Sequence, residues 1–245
     1  SAVREDSYGI ETYCPQLNLD LEDIKFADLG SLDVPLGDAQ LTIDYVKDAT
    51  DILLKHNIKP LIIGGEHSIT TGIIKSIISN YPELIMIQLD AHADLRDEWL
   101  GSRFSHACTM KRCLEILPSK KIFQVGIRSG TKSEFLEMNN AKRLIQHKCG
   151  ENAKYLEEAL KNFKGKPIYL TFDLDWFDPS VMPGTGTPEP GGYFWGDFAA
   201  IIDVIKSHNL VGADLVELSP KLDNSGISNN LAAKVIRSLI MLLDN

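Results

Sequence analysis

Paired cysteines, long apolar runs and an excess of positive charge are all missing from this 245-residue sequence. The cysteines form no C-x-x-C pair, so we expect reduced thiols in a cytoplasmic protein rather than a disulfide framework. They are Cys14, Cys108, Cys113 and Cys149. No apolar run reaches the length of a membrane span, and no basic-then-apolar signal opens the sequence. A net charge of −9 disfavours nucleic acid or an anionic membrane as the main partner.

The composition, with 44% hydrophobic and 24% charged residues, is that of a globular protein. Short apolar runs typical of strands alternate with amphipathic segments typical of helices. The predicted strands are Ile24–Leu29, Leu61–Ile63, Leu84–Leu89, Lys121–Ile127, Ile168–Phe172 and Leu210–Val216. The predicted helices begin near Asp38, Ile69, His106, Thr131, Ala153, Gly196 and Ser228. This alternation predicts βαβ units, a parallel sheet flanked by helices, and one α/β domain spanning residues 1–245.

Two of these elements carry predictions about burial. In the helix that begins at Asp38, the spacing of Leu41, Tyr45, Ala49, Ile52 and Leu53 predicts one buried face. The continuous apolar run of the second strand, residues 61–63, predicts a strand that is covered on both faces.

Polar side chains follow the ends of four predicted strands. They are His67, then Asp90, His92 and Asp94, then Asp173 and Asp175, and finally Glu217. In the Asp-Ala-His-Ala-Asp run, alternate residues of an extended chain share one face. Because the carboxyl ends of parallel strands meet at the rim where open α/β sheets bind ligands, these side chains are expected to converge.

Four carboxylates and two imidazoles are too many for one tetrahedral zinc site. They suit two divalent ions about 3.5–4 Å apart, bridged by shared carboxylates and a water. Carboxylate-rich ligation without thiolate favours Mn²⁺, while Fe²⁺, Co²⁺ and Zn²⁺ stay open. Each piece alone has a simpler interpretation, since a strand-end His is often structural and Asp173-Leu174-Asp175 is compatible with a turn. Their coincidence at consecutive strand ends favours metal.

Six motifs, in order along the chain, resemble the ureohydrolase family of arginases and agmatinases, bacterial agmatinases above all. They are Gly64-Gly65-Glu66-His67-Ser68-Ile69-Thr70, Asp90-Ala91-His92-Ala93-Asp94, Ser105-His106-Ala107-Cys108, Phe172-Asp173-Leu174-Asp175, the Pro/Gly-rich run 183–192 and Val216-Glu217-Leu218-Ser219-Pro220. The resemblance covers essentially the whole chain, apart from an opening strand of the family that this sequence lacks, so residues are expected upstream of Ser1.

The resemblance implies a three-layer αβα fold, usually assembled into trimers or hexamers, and a centre of two Mn²⁺ ions with Asp90 as a bridging carboxylate. The ligands that it implies are His67, Asp90, His92, Asp94, Asp173 and Asp175. The reaction that it implies is hydrolysis of a guanidinium group to urea and an amine by a metal-bridging hydroxide. In that reaction Glu217 holds the guanidinium and His106 passes a proton to the leaving amine.

The segment Arg96–Ala107 lacks the arginase pattern that grips the amino-acid end of arginine, and it resembles bacterial agmatinases instead. Agmatine, hydrolysed to putrescine and urea, is therefore the expected substrate, and acidic Asp97 and Glu98 could help attract this dication. Guanidinobutyrate and arginine stay open. A dinuclear phosphoesterase is disfavoured because no Gly-Asn-His-Glu run occurs, and a non-catalytic relative is disfavoured because all six ligands are present.

Overall fold

The computed structural model describes residues 2–145 and 150–244. A small antiparallel hairpin of β1 (Tyr13–Cys14) and β2 (Leu19–Asp20) lies apart from the main sheet. The main sheet contains β3 (Leu61–Ile63), β4 (Ile85–Leu89), β5 (Ile122–Val125), β6 (Leu144–Ile145), β7 (Pro167–Asp173) and β8 (Asn209–Val216). These six strands pair in the order β3-β8-β7-β4-β5-β6, and every pair is parallel. The parallel sheet predicted from the sequence is thereby confirmed.

Eight α-helices accompany the sheet in the described part of the chain. They are α1 (Ala2–Ser7), α2 (Ala39–Lys55), α3 (Ile69–Asn80), α4 (Thr109–Leu114), α5 (Lys132–Asn140), α6 (Asn152–Leu160), α7 (Trp195–Ile205) and α8 (Ile227–Leu243). Two of the predicted starts are visible as caps: Asp38 accepts a hydrogen bond from the Leu41 amide, and Thr131 forms a capping box with Glu134. Within the described residues, no helix is long and apolar enough to cross a bilayer.

The strands bury side chains on both faces, which produces the three predicted layers. Along β4, Ile85, Ile87 and Leu89 pack into a cluster with α6, α7 and α8. Met86 and Leu84, the residue just before the strand, pack into a second cluster with α2, α3, α4 and α5. Helices therefore cover the sheet on both sides, as the αβα prediction requires.

The order of the strands reverses direction between β4 and β7. After β4 the chain passes through α4, on one face, to the neighbouring β5; after β7 it passes through α7, on the opposite face, to β8. The two connections therefore diverge and leave a crevice at the carboxyl ends of β4 and β7. Register pairs Leu89 with Phe172, so the residues after these strands emerge side by side into that crevice.

Three local predictions are wrong. Residues 24–29 form no strand: Phe26 and Leu29 are exposed, so no sheet face buries this run. Strand β3 lies at a sheet edge rather than being covered on both faces, and Ile63 is 52% exposed. Helix α2 buries Ile43, Val46, Thr50 and Leu54 against α3 rather than the predicted face.

The reason for the α2 error is that this helix carries two apolar stripes, both with helical spacing. Leu41, Tyr45 and Ile52, from the predicted stripe, are exposed. Local spacing cannot decide which stripe the neighbouring helix contacts. Cys14, Cys108 and Cys113 are buried free thiols, and Cys149 lies outside the described residues.

Gly72 allows α2 and α3 to approach closely, and its replacement by Ala should destabilise the fold. A Cβ at this position would lie 2.3 Å from the backbone oxygen of Ile43 in α2. Although Ala is normally the better helix former, we expect Gly72→Ala to lower the free energy of unfolding by about 1–3 kcal/mol, because backbone must move. Urea denaturation measures this. Gly196→Ala, in α7 with open space around the new Cβ, is the matched control and should cost nothing; equal stability of both variants would contradict the packing.

Candidate metal centre

The crevice between β4 and β7 holds a cluster of carboxylates around the imidazole of His67. His67 lies in the turn between β3 and α3, and its side chain is fully buried. Its Nδ1 lies 3.2 Å from Asp90 Oδ2, 3.1 Å from Asp94 Oδ2 and 3.3 Å from Asp173 Oδ2. Three predicted carboxylate ligands, from the ends of two neighbouring strands, therefore each place an oxygen within 3.3 Å of the imidazole nitrogen of a fourth.

A second group lies beside the first and shares Asp90 with it. His92 Nδ1 is 2.8 Å from Asp175 Oδ2 and 3.7 Å from Asp90 Oδ1. The two oxygens of Asp90 thus face different imidazoles, Oδ2 towards His67 and Oδ1 towards His92. Each group offers ligand atoms that lie within 4.8 Å of one another, His67 with Asp90 and Asp173, and His92 with Asp90 and Asp175. The arrangement fits two adjacent cations joined by the Asp90 carboxylate.

The tautomer of His67 is set from its far side. Nε2 lies 2.9 Å from the Thr171 hydroxyl, which donates to Asp214 Oδ1 at 2.7 Å. Thr70 and Tyr169 donate to the other oxygen of Asp214. With Nε2 donating into this buried relay, the Nδ1 lone pair faces the carboxylates. Nδ1 is buried and faces three carboxylate oxygens without a well-directed hydrogen bond to any of them, an arrangement that suits an imidazole nitrogen and carboxylates around a shared cation.

Burial and mutual repulsion dominate the electrostatics of the carboxylates. Burial, together with the charge of Asp90, raises the pKa of Asp94 to about 7. Burial, and then the charges of Asp175 and Asp90, raise the pKa of Asp173 well above its ordinary value. Burial opposes ionisation of Asp90 as well, but the His67 and His92 imidazoles bring its pKa below the ordinary value. Positive charge is therefore required for all of these carboxylates to ionise together, and divalent cations supply it.

Two glutamines hold the loop after β4 in place. Gln88 Nε2 donates to Asp90 Oδ2 at 2.7 Å and to the His92 carbonyl at 3.2 Å. Gln124 Nε2 donates in turn to Gln88 Oε1 at 2.7 Å and to the Ala93 carbonyl at 3.0 Å. These glutamines, like Thr171 and Asp214, were not singled out in the sequence. The signal that could have found them is a polar residue inside an otherwise apolar strand.

Arg128 ties the loop that carries Asp175 to the Pro/Gly-rich loop beside it. Its guanidinium donates to five carbonyl groups, and the shortest bonds, both 2.7 Å, go to Asp175 and Glu189. The loop in turn places the Thr187 hydroxyl 3.3 Å from Asp175 Oδ2. The partly buried guanidinium of Arg128 therefore fixes the backbone that carries Asp175.

Glu217 and Asp94 have left-handed backbone conformations, with φ of 64° and 52°. This region is unusual for a Glu, and such strain persists only where the surroundings fix it. Glu217 N donates to the Gly65 carbonyl at 2.8 Å, and Glu217 Oε1 accepts a hydrogen bond from the His67 amide at 2.7 Å. The predicted guanidinium partner is thus attached directly to the turn that carries a predicted ligand, and burial raises the pKa of Glu217.

His106 begins a short 3-10 turn over His106–Cys108 and is about half exposed at the rim. Its hydrogen bonds are made with Glu66 rather than with the six predicted ligands. Its Nδ1 and its backbone amide both face Glu66, in the motif that also contains His67. The structure therefore brings the six predicted ligands and Glu217 into direct contact, and connects His106 to them through Glu66.

Fold and site together define a three-layer α/β protein with a candidate two-ion centre at the point where its sheet reverses. Comparison with known sequences identifies the family to which such a protein belongs. The chain belongs to the arginase family, whose profile matches residues 1–242.

Individual relatives agree with this assignment. An agmatinase from Bacillus subtilis (strain 168) is 36% identical over 244 residues, which is 98% of this chain and 83% of that protein. A guanidinobutyrase from Pseudomonas aeruginosa is 31% identical over 232 residues, 91% of this chain and 72% of that protein. The crystal structure of a candidate agmatinase from Clostridium difficile matches with a TM-score of 0.93 at 40% identity, covering 99% of this chain and 88% of that one. The predicted resemblance to agmatinases is confirmed.

Replacing Arg128 by Lys should loosen the Asp175 loop. A lysine keeps the charge but cannot reach five carbonyls, so buried acceptors lose their donors. We expect the free energy of unfolding to fall by about 1–3 kcal/mol and Mn²⁺ to bind more weakly by calorimetry. Arg103→Lys, at an exposed ion pair with Glu115, is the control and should change stability by less than about 0.5 kcal/mol. An Arg128→Lys variant with the stability and the Mn²⁺ affinity of the wild type would show that Arg128 does not hold the Asp175 loop in place.

Binding of Mn²⁺ should weaken as the pH falls. Asp94, with a pKa of about 7, and Asp173, with a raised pKa, must lose protons before they can bind a cation. The increase in Tm on adding Mn²⁺ should therefore be larger at about pH 8 than at about pH 6. Without added metal the sign is opposite, because ionising Asp94 inside the fold costs stability as the pH rises through about 7. Differential scanning fluorimetry measures both trends, and a Tm increase independent of pH would refute this assignment.

Proposed function

We propose that the protein is a Mn²⁺-dependent hydrolase of small cationic guanidino compounds and that agmatine is its preferred substrate. The observation that carries the proposal is the position of Asp90, whose two oxygens face the two imidazoles of a buried, carboxylate-rich cluster. Membership of the arginase family supports the reaction class, and the agmatinase relatives support the substrate. Carboxylates outnumber imidazoles in the cluster and thiolates are missing from it, which favours Mn²⁺ over zinc.

In the proposed centre His67, Asp90, Asp94 and Asp173 would hold one ion, and Asp90, His92 and Asp175 would hold the other. When bound, two such ions supply Lewis acidity and make water nucleophilic at neutral pH. The hydrogen bonds of Thr171 and Asp214 behind His67, and those of Arg128 to the Asp175 loop, hold the ligands in place and contribute orientation rather than chemistry.

Glu217 is proposed to bind the guanidinium. Its Oε1 is held by the His67 amide, and a Cβ built on Gly186 would come within 4.0 Å of Oε2 and of no other atom. The Pro/Gly-rich loop therefore passes next to Oε2 at Gly186 and leaves space between the two. A carboxylate there accepts hydrogen bonds from the planar guanidinium and fixes its carbon beside the ligand cluster.

His106 is proposed to deliver a proton to the leaving group. The hydrogen bond to the Glu66 carboxylate raises the pKa of His106 and so favours the protonated imidazole. Hydrolysis forms a bond between the guanidinium carbon and a water oxygen and breaks the bond from that carbon to the substituted nitrogen. That nitrogen must gain a proton to leave as an amine, and a neighbouring imidazolium can give it. The products are urea and a primary amine.

Two observations bear on the preference for agmatine: the acidic residues at the rim of the site and the substrates named for the relatives. Asp97 is paired with Arg112 and Arg103, at 2.6 and 3.3 Å, so its charge is largely compensated. The hypothesis that acidic residues attract a dication therefore depends on Glu98. Relatives that hydrolyse different guanidino compounds match with similar identity, 36% for an agmatinase and 31% for a guanidinobutyrase, so guanidinobutyrate is the second candidate. A cytoplasmic location and a trimeric or hexameric assembly stay predictions.

Urea release from a panel of guanidino compounds tests the proposal. With the protein loaded with Mn²⁺, we expect kcat/KM to be highest for agmatine, lower for guanidinobutyrate and lowest for arginine, because the rim lacks the arginase pattern for an α-amino acid. A phosphodiester in the same panel should not be hydrolysed. Arginine as the best substrate would contradict the agmatine assignment, and absence of urea from every compound would refute the reaction class.

A further inference from the structure

Glu66 lies between two parts of the site, the His67 turn and the His106 turn. It belongs to the turn between β3 and α3, and its side chain points to the segment that begins the His106–Cys108 turn. Glu66 Oε1 accepts a hydrogen bond from the His106 backbone amide at 2.6 Å and lies 3.1 Å from His106 Nδ1. Glu66 Oε2 accepts a hydrogen bond from the Ser68 hydroxyl. A single carboxylate oxygen therefore contacts both the main chain and the ring of His106.

These two contacts determine which nitrogen of His106 is available. With Nδ1–H donating to Glu66, the opposite nitrogen, Nε2, is the one left to exchange a proton with another group. A half-exposed imidazole on a loop would otherwise sample several rotamers. A carboxylate that fixes both the ring and the adjacent amide removes much of that freedom, as the orienting acid does in a catalytic triad.

The same turn also holds the other proposed catalytic residue. The Gly65 carbonyl accepts from the Glu217 amide, and the His67 amide donates to Glu217 Oε1. Three consecutive residues, Gly65, Glu66 and His67, thus contact Glu217, His106 and the carboxylate cluster. The separation between the guanidinium partner and the proton donor is fixed by one short stretch of backbone.

We propose that Glu66 is a positioning residue that acts through His106, holding Nε2 towards the nitrogen that leaves the substrate. This inference rests on the proposed hydrolysis, and it assigns to Glu66 a role that is separate from metal binding. Loss of Glu66 should slow proton delivery, and so lower kcat, while binding of the substrate guanidinium by Glu217 and the content of metal stay unchanged.

A double-mutant cycle tests whether Glu66 acts through His106. We expect Glu66→Ala to lower kcat by about 10- to 100-fold with KM within about 3-fold, and Glu66→Gln to lower it less, because its amide oxygen can still accept from the His106 amide. His106→Ala should lower kcat at least as much, and the Glu66→Ala/His106→Ala double variant should be no slower than His106→Ala alone. Glu157→Ala, exposed on α6, is the control, and metal content is measured for every variant.

A second readout does not depend on activity. With Mg²⁺ in place of paramagnetic Mn²⁺, and at a pH where the ring is neutral, ¹⁵N NMR of the histidines should show His106 with its proton on Nδ1 in the wild type and a mixture of tautomers in Glu66→Ala. Additive effects in the cycle, a loss of metal that accounts for the loss of kcat, or an unchanged tautomer would overturn the role of Glu66. An inactive wild type with the expected tautomer shift would instead refute the proposed function and leave the Glu66–His106 contact established.

Discussion

Repulsion among buried carboxylates is the constraint on which the rest of this structure depends. Asp90, Asp94 and Asp173 are buried side chains, and each places an oxygen within 3.3 Å of one imidazole nitrogen. Such a cluster is stable only with compensating positive charge and with backbone that cannot relax away. The polar residues around it follow from this requirement: Gln88 restrains the loop after β4, and Arg128 restrains the loop after β7.

The sheet makes the cluster possible because its reversal point presents two adjacent strand ends to one crevice. The backbone register between β4 and β7 fixes the spacing of the two aspartate motifs, whatever side chains they carry. His67 follows β3, which lies two positions from β7 in the sheet. The hydrogen bond of its Nε2 to Thr171 on β7 brings its ring into the cluster. The left-handed backbone at Asp94 and Glu217 is the local strain that this convergence stores.

Periodicity and strand-end chemistry were sufficient to predict the parallel sheet, its layers and the residues that converge. They failed where the outcome depends on a distant partner. Nothing local in α2 tells whether Ile43 or Leu41 contacts α3, and nothing in residues 24–29 reveals the lack of a neighbouring strand. Likewise Glu66 looked like part of a ligand motif, and its contact with His106, 40 residues later, became visible only in the folded chain.

The number of metal ions per chain tests the central claim most directly. Inductively coupled plasma mass spectrometry on Mn²⁺-loaded protein should give about two ions per chain for the wild type and at most about one for Asp90→Asn, because the shared carboxylate is weakened for both ions. Asp33→Asn, at an exposed position in the irregular segment before α2, should retain about two. A wild type that binds a single ion, or an Asp90→Asn variant that still binds two, would contradict a centre bridged by Asp90.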